Sequence, residues 1–367
     1  MSFIMKNIVV HAPRVTYYKG GAERYILNLL VELSKRNNKI SLISYDAPRQ
    51  TEWFLKFLEE FRGRIYLLKS VKMDNSFNRF INASEPKLWD EESKIFGKET
   101  KKFYEKNNFE AVICHYAVDC LHLPKNQKIY LHLHGLPNSV RKIENKALKI
   151  PDKIIAVSKY VRKGWKKLHN IKKKIYVVPN GIFLENKKYK GKRVDIIYFG
   201  RLIKIKGVNI LLNSIKILNN KSIFPRTIII GDGLEKENLI KFSKKLDLKN
   251  VLFLGKVKDK RLYSIISSSK ISVFPSYKRE GIMTTLLEAS KHSSAIIASD
   301  SCSNKEFIVN NISGVLFEPK QYNDLSSKIE RVLFDEKLRE KLIKNSLETL
   351  KYFTWQRQAN KIEKIYY

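Results

Sequence analysis

Short apolar runs recur along this chain at spacings that leave room for a helix between them, and that alternation limits the fold more than any other feature. The runs at 8–10, 40–43, 111–114, 129–133, 154–157 and 175–178 are three to five residues long, the length of strands buried on both faces. Between the first two lie a loop, HAPRVTYYKGG, and a segment in which Ile26, Leu29, Leu30 and Leu33 share one helical face. Strands alternating with helices read as a parallel sheet with crossover connections. The pattern breaks at Pro179-Asn180-Gly181 and across the polar stretch 186–193, then restarts. Strands are expected at 195–199, 227–230, 251–254, 271–274 and 295–298. Helices are expected at about 208–218, 234–246, 260–267 and 284–292, and then from 321 to the terminus. The economical reading is two doubly wound α/β units joined near residue 185.

Length agrees, since 367 residues at roughly 150 per domain make about two domains. No run approaches the ~18 apolar residues of a membrane-spanning helix. The opening MSFIMKNIVVHAP has too short an apolar stretch for a signal peptide and no small-residue cleavage site after it. Cys114, Cys120 and Cys302 form neither a CxxC pair nor a disulfide framework. The expectation is a soluble, cytoplasmic protein. The net charge of +35 comes from 54 Lys and 17 Arg against 36 acidic residues, a lysine bias that by itself points weakly to nucleic acid. No RNP-like aromatic strand, paired Cys/His finger or basic heptad accompanies it, so no specific nucleic-acid partner is expected.

In open α/β sheets ligands bind outside the carboxyl ends of the strands, so residues there carry most weight. Gly20-Gly21 precedes the first helix, where free amides can meet a phosphate; a flexible turn would read the same way. His132 and His134, in LHLHG, lie on one face of a strand, and His134 stands at its carboxyl end. No carboxylate or third histidine is placed near them in sequence, which disfavours a metal site. FGRLIKIKG sets Arg201 and Lys206 beyond a strand, as suits an anion such as a diphosphate, although surface charge is a serious alternative in so basic a chain. Gly231-Asp232-Gly233 ends the next strand and reads equally well as a tight turn. In SYKREGIMTTLLEAS, Glu280 precedes a helix start near Ile282, and Glu288 lies eight positions on inside the helix. Carboxylates there can accept hydrogen bonds from sugar and ribose hydroxyls.

GGAE, HG, VSKYV, VPNGI, GRLIKIKG, GDG, FLGKV and EGIMTTLLEA, in this order over almost the whole chain, resemble the retaining glycosyltransferases of family 4. The resemblance implies the GT-B architecture, two Rossmann-like domains facing across a cleft. It implies an acceptor-binding domain over 1–185, a domain over 186–350 that binds a nucleotide-sugar donor, and a terminal helix at 351–367 packed back on the first domain. Carried over residue by residue, Gly21 offers its amide to the donor phosphate, and Arg201 and Lys206 neutralise the diphosphate. Glu280 holds the donor sugar beside the amides of Ile282, Met283 and Thr284, Glu288 binds the ribose, and Gly255 to Val257 border the base. His134 matches the histidine that contacts the donor sugar. Met283-Thr284-Thr285 departs from the family's frequent Gly-Leu-Pro, and Phe183 from its frequent aspartate; both bear on the choice of donor sugar.

The implied reaction moves a hexose-type sugar from a UDP- or GDP-sugar to a glycan acceptor, with no tightly bound cofactor or metal, since no Asp-x-Asp occurs. An inactive sugar-nucleotide-binding relative, an inverting GT-B enzyme and a basic-surface nucleic-acid binder are the competing readings. Between Arg141 and Lys174 thirteen basic residues face only Glu144 and Asp152. Arg162, Lys163, Lys166 and Lys167 lie there on a helix, with Trp165 and Leu168 among them, as suits an anionic membrane surface and a lipid-linked acceptor. A solvated basic face is the alternative. The expected location is the inner face of the cell membrane, with the protein peripheral to it.

Overall fold

The computed structural model describes residues 7–36, 39–69, 86–136, 141–184, 189, 191, 194–278, 281 and 283–366. The chain divides into two compact units, Met1–Gly181 with Trp355–Tyr367, and Ile182–Thr354.

The first unit is built on a seven-stranded parallel sheet of β1 (Asn7–His11), β2 (Lys39–Tyr45), β3 (Arg64–Leu68), β4 (Ala111–Cys114), β5 (Lys128–Leu133), β6 (Lys153–Ala156) and β7 (Ile175–Val177), in the order β3-β2-β1-β4-β5-β6-β7. Crossovers between the strands include helices α1 (Gly21–Ser34), α2 (Glu52–Glu60), α3 (Pro86–Lys106), α4 (Lys142–Ala147) and α5 (Lys159–His169). β1 and β4 are neighbours in the sheet but far apart in sequence, so the chain reverses its winding direction between them. A crevice opens at such a point, at the carboxyl ends of the strands.

The second unit repeats the plan on six parallel strands, β8 (Val194–Phe199), β9 (Thr227–Ile230), β10 (Val251–Gly255), β11 (Ser269–Phe274), β12 (Ala295–Ser299) and β13 (Val315–Phe317), in the order β10-β9-β8-β11-β12-β13. Its helices include α6 (Val208–Asn220), α7 (Lys236–Lys245), α8 (Asp259–Ser267), α9 (Thr284–Lys291), α10 (Tyr322–Phe334) and α11 (Glu336–Leu350). Side chains alternate across β8: Ile196 and Tyr198 enter one core with Leu211 and Ile215 of α6, while Ile197 and Phe199 enter the other with Leu286 and Leu287 of α9. A strand buried on both faces in this way has an uninterrupted apolar run. The reversal point here lies between β8 and β11.

The segment expected to be helical from 321 onward is interrupted twice. Asp335 ends α10 and caps α11, its side chain accepting from the Leu338 amide at 2.8 Å. A 3-10 turn, Lys351–Phe353, then leads to the last helix, α12 (Trp355–Tyr366), which belongs to the first unit. Arg36, just beyond α1, donates to the Gln356 carbonyl at 2.7 Å and pairs with Glu363 at 3.0 Å. Tyr366 stacks on Tyr130 of β5 with centroids 4.7 Å apart.

Candidate active site

In the second unit the segments that follow β8, β9, β10 and β11 are bonded to one another. The Gly200 amide donates to the Ile230 carbonyl at 3.0 Å, Leu202 to Asp232 at 2.8 Å, and Gly231 to Gly255 at 2.9 Å. Glycine is required where these backbones meet. A Cβ on Gly231, whose φ is 143°, would lie 1.8 Å from the Gly200 carbonyl oxygen, and one on Gly207, at φ 69°, 2.3 Å from the Pro275 oxygen. The Tyr277 amide donates to the Ile205 carbonyl at 3.1 Å, so the loops after β8 and β11 are pinned together beside the reversal point.

The candidate residues sit on this frame. Arg201 is exposed, while Lys206 is buried to 9 % exposure with its Nζ 3.5 Å from the Met283 Sδ. The same sulfur accepts from the Ser276 hydroxyl at 3.6 Å. Met283 is the N-cap of α9 and makes no capping side-chain bond, so Thr284 begins a helix whose first amides meet no side-chain cap. Glu288 is buried in that helix. Gly255 adopts φ 65° where the β10 register shifts, and Val257 is half-buried against the core. Asp232 holds its turn by accepting from the Gly233 amide at 2.9 Å, and it lies within 4 Å of Lys236 and Lys256. The structure thus gathers Arg201, Lys206, Met283, Thr284 and Glu288 around one reversal point. Glu280 and Ile282 lie outside the described residues.

In the first unit Gly21 is the first residue of α1, and a Cβ placed there meets nothing within 4 Å. Its neighbour Gly20 is the crowded one, with Glu23 Oε2 at 2.3 Å from such a Cβ. His134, half-buried at the end of β5, shares a 2.9 Å hydrogen bond between its Nε2 and the Nδ1 of His115, which follows β4. The Tyr25 ring meets His134 edge-on at 4.7 Å. His132 is fully buried; its Nδ1 lies 3.1 Å from the Tyr25 hydroxyl and its Nε2 2.7 Å from that of Tyr366. Those bonds make His132 part of the packing under α12 and separate its role from that of His134. Burial pushes the His132 and His134 imidazoles down to about 3 and His115 well below its usual value, so all three are neutral at pH 7.

Sequence reasoning passed over a second polar group, at the β1–β4 reversal point. Arg14, three residues past β1, pairs with the buried Glu92 of α3, which also accepts from the Tyr17 hydroxyl. The Arg14 guanidinium lies over the rings of Tyr116, at 5.0 Å, and Trp89, at 5.6 Å. Asp119 accepts from Ser93 at 2.5 Å, and Asp90 bonds Tyr116 at 2.6 Å and Arg141 at 2.5 Å. Burial, opposed by Arg14, raises Glu92 to about 7 and Asp119 to about 6. Arg14 and Asp119 carried a readable signal, each lying just beyond a strand's carboxyl end. Glu92 and Asp90 carried none, because their helix reaches the crevice from elsewhere in the chain.

On α5, Lys163, Lys166, Lys167 and Leu168 are exposed and Arg162 is half-buried. Trp165 departs from expectation. It is not an interfacial aromatic but is buried to 6 % exposure, its Nε1 donating to the Gly135 carbonyl at 2.7 Å and its ring stacked on His169. Val161 and Trp165 are four apart and face the core, which leaves the cations on the outer face. Among the described residues no helix is long and apolar enough to cross a membrane, and no three His, Cys, Asp or Glu side chains form a group suited to a metal ion.

Two family models match in succession: Glycosyltransferase Family 4 over residues 19–186 and Glycosyl transferases group 1 over residues 182–349. The uncharacterized glycosyltransferase MJ1178 of Methanocaldococcus jannaschii is 27% identical over 99% of this chain and 98% of its own length. The N-acetylgalactosamine-N,N'-diacetylbacillosaminyl-diphospho-undecaprenol 4-alpha-N-acetylgalactosaminyltransferase of Campylobacter jejuni is 26% identical over 90% of this chain and 91% of its own. Among solved structures, Anabaena HepE in complex with UDP and glucose superposes with a TM-score of 0.76 at 13% identity, covering 98% of this chain and 99% of that one. With two Rossmann-like units, each matched by its own glycosyltransferase model, the chain belongs to the family 4 glycosyltransferases of GT-B fold.

Proposed function

We propose that the enzyme is a retaining hexosyltransferase that takes its sugar from a UDP- or GDP-sugar and passes it to a lipid-linked glycan in cell-surface polysaccharide or glycoconjugate synthesis. The observation that carries the donor half is the pinned pair of loops beside the β8–β11 reversal point. They place Lys206 against Met283 at the start of α9, with Arg201 on the first loop and Glu288 inside the helix. In the reaction an acceptor oxygen bonds to the sugar's anomeric carbon as that carbon's bond to the diphosphate breaks. The acceptor proton passes to a diphosphate oxygen on the same face. Negative charge grows on the leaving group, and the fixed cations Arg201 and Lys206 with the α9 amides stabilise it most when it is fully developed. Glu280 holds the sugar, Glu288 the ribose, Gly255 to Val257 border the base, the Gly21 amide meets a phosphate, and His134 hydrogen-bonds the sugar.

HepE was captured with UDP and glucose, and the Campylobacter relative is named for a diphospho-undecaprenol acceptor; both support the reading without fixing base or sugar. The exposed cations of α5 supply the means of holding the enzyme at the inner surface of an anionic membrane, where such an acceptor resides. A thermal-shift screen of UDP-, GDP- and ADP-sugars tests the donor class. Binding stabilises by about 2.7 kcal/mol at a hundredfold excess over Kd, so one nucleotide should stand apart. A shift with one of the three but no sugar transfer from any of them would return the chain to an inactive nucleotide-sugar binder.

A further inference from the structure

We propose that His115 is a positioning residue that fixes the tautomer of His134, so that His134 presents Nδ1–H, a hydrogen-bond donor, to its ligand. The chemistry of two neutral imidazoles leads there. Each carries one N–H and one lone pair, and the 2.9 Å contact between His115 Nδ1 and His134 Nε2 uses one proton. If His134 were the donor, His115 would have to carry its own proton on Nε2. That nitrogen is buried and has no hydrogen-bond partner among the described residues. Tyr25, edge-to-face with centroids 6.0 Å apart, and His132, at 4.9 Å, pack against the ring, and neither makes a hydrogen bond to that nitrogen. A buried N–H with no acceptor is the rarer and costlier outcome.

In the alternative arrangement His115 Nδ1–H donates and its Nε2 keeps only a lone pair. His134 Nε2 then accepts, which forces the His134 proton onto Nδ1. An unconstrained neutral histidine favours the Nε2–H form, so the choice is imposed by His115. Nothing among the described residues hydrogen-bonds His134 Nδ1, and the residue is half-exposed, so this N–H is the group left for a ligand. A donor in that position recognises an electronegative oxygen of the ligand, a sugar hydroxyl oxygen or a phosphate oxygen, and does not withdraw a proton from it. This ligand assignment rests on the proposed reading of His134, whereas the tautomer coupling does not.

Nitrogen-15 spectra of the histidine-labelled full chain, with the His134 signals identified by their loss in His134→Gln, read the tautomer directly. The wild type should show His134 protonated on Nδ1. His115→Phe keeps ring volume but removes the donor, and His134 should move to the Nε2–H form with turnover down about tenfold, the loss of one well-placed hydrogen bond. His115→Asn puts an amide donor where Nδ1 stood, and should restore both the Nδ1–H signal and turnover to within about threefold. His134 protonated on Nε2 in the wild type, or a tautomer unchanged in His115→Phe, overturns the proposal. The wild-type spectrum decides alone should the Phe variant not fold. If the tautomer behaves as stated but His134→Gln transfers sugar normally from the stabilising UDP- or GDP-sugar, the role given to His134 fails and the coupling stands.

Discussion

Gly231 can be no other residue, because its backbone angle excludes a side chain and the Gly200 carbonyl occupies the space a Cβ would need. Gly231→Ala should therefore cost about 3 kcal/mol of stability, read by urea unfolding, and loosen the loops that frame Arg201 and Lys206. An unchanged midpoint with intact nucleotide binding would show that these loops do not depend on the close approach. Gly21→Ala is the counterpart. With open space around it, the variant should fold within about 0.5 kcal/mol of wild type yet, on the role proposed for its amide, bind donor more weakly. Among the charged residues, Arg201→Ala, Lys206→Ala and Glu280→Ala should each lower turnover by at least ~10²-fold, the scale of one lost transition-state contact. Glu288→Ala should mainly raise the nucleotide Kd. Near wild-type rates in both the Arg201 and Lys206 variants would remove the diphosphate assignment. Arg201, Lys206 and Glu280 could be singled out because each follows a strand in sequence, and Glu288 because it lies on the helix that comes next. The Arg14–Glu92 pair was not, since only folding brings residues 78 positions apart into contact.

Helix α5 shows where reading elements from sequence succeeds and where it stops. Its cations were identifiable from composition, but which face Trp165 takes depends on what packs beneath it, and Gly135 and His169 settle that. The packing role of the helix and the membrane role proposed for it can be separated experimentally. Changing Arg162, Lys163, Lys166 and Lys167 together to Glu should abolish co-sedimentation with anionic vesicles while leaving the melting temperature within a few degrees. Trp165→Ala should instead destabilise by about 3–5 kcal/mol, the cost of emptying a buried aromatic site. Vesicle binding that persists after charge reversal, or that is equal on neutral lipid, would leave a soluble acceptor as the better reading. Other elements left weaker traces. β3 carries an apolar run, 65–68, that was passed over, and as an edge strand it is only half-buried; β13 is only three residues long, and α3 is rich in Lys and Glu with few apolar positions. The interior strands were legible for the opposite reason, being apolar on both faces.

At the scale of a whole unit, protonation is coupled to folding. Burial holds His11, His132 and His134 down to about 3 and His115 well below its usual value, and all four belong to the first unit. Below pH 6.5 the unfolded chain takes up protons on these rings and the folded chain does not, so they favour unfolding progressively as pH falls from about 6.5 toward 3. Glu92 and Asp119, raised to about 7 and about 6, act with the opposite sign. They hold protons in the folded state that the unfolded chain has released, and so they weaken stability as pH rises from about 4 through 7. Near pH 5.5 four imidazoles against two carboxyls leave a net uptake of about two protons on unfolding, and stability should rise with pH across 4.5 to 6.5. His122 and His169, also held low by burial, add to the same trend. All four tryptophans, Trp53, Trp89, Trp165 and Trp355, lie in the first unit, so tryptophan fluorescence reports its unfolding specifically. Followed by that signal, the urea midpoint should climb steeply from pH 4.5 to 6.5 and level off above it. A midpoint flat over that interval would mean that the buried imidazoles of the first unit titrate as freely in the folded protein as in the unfolded chain.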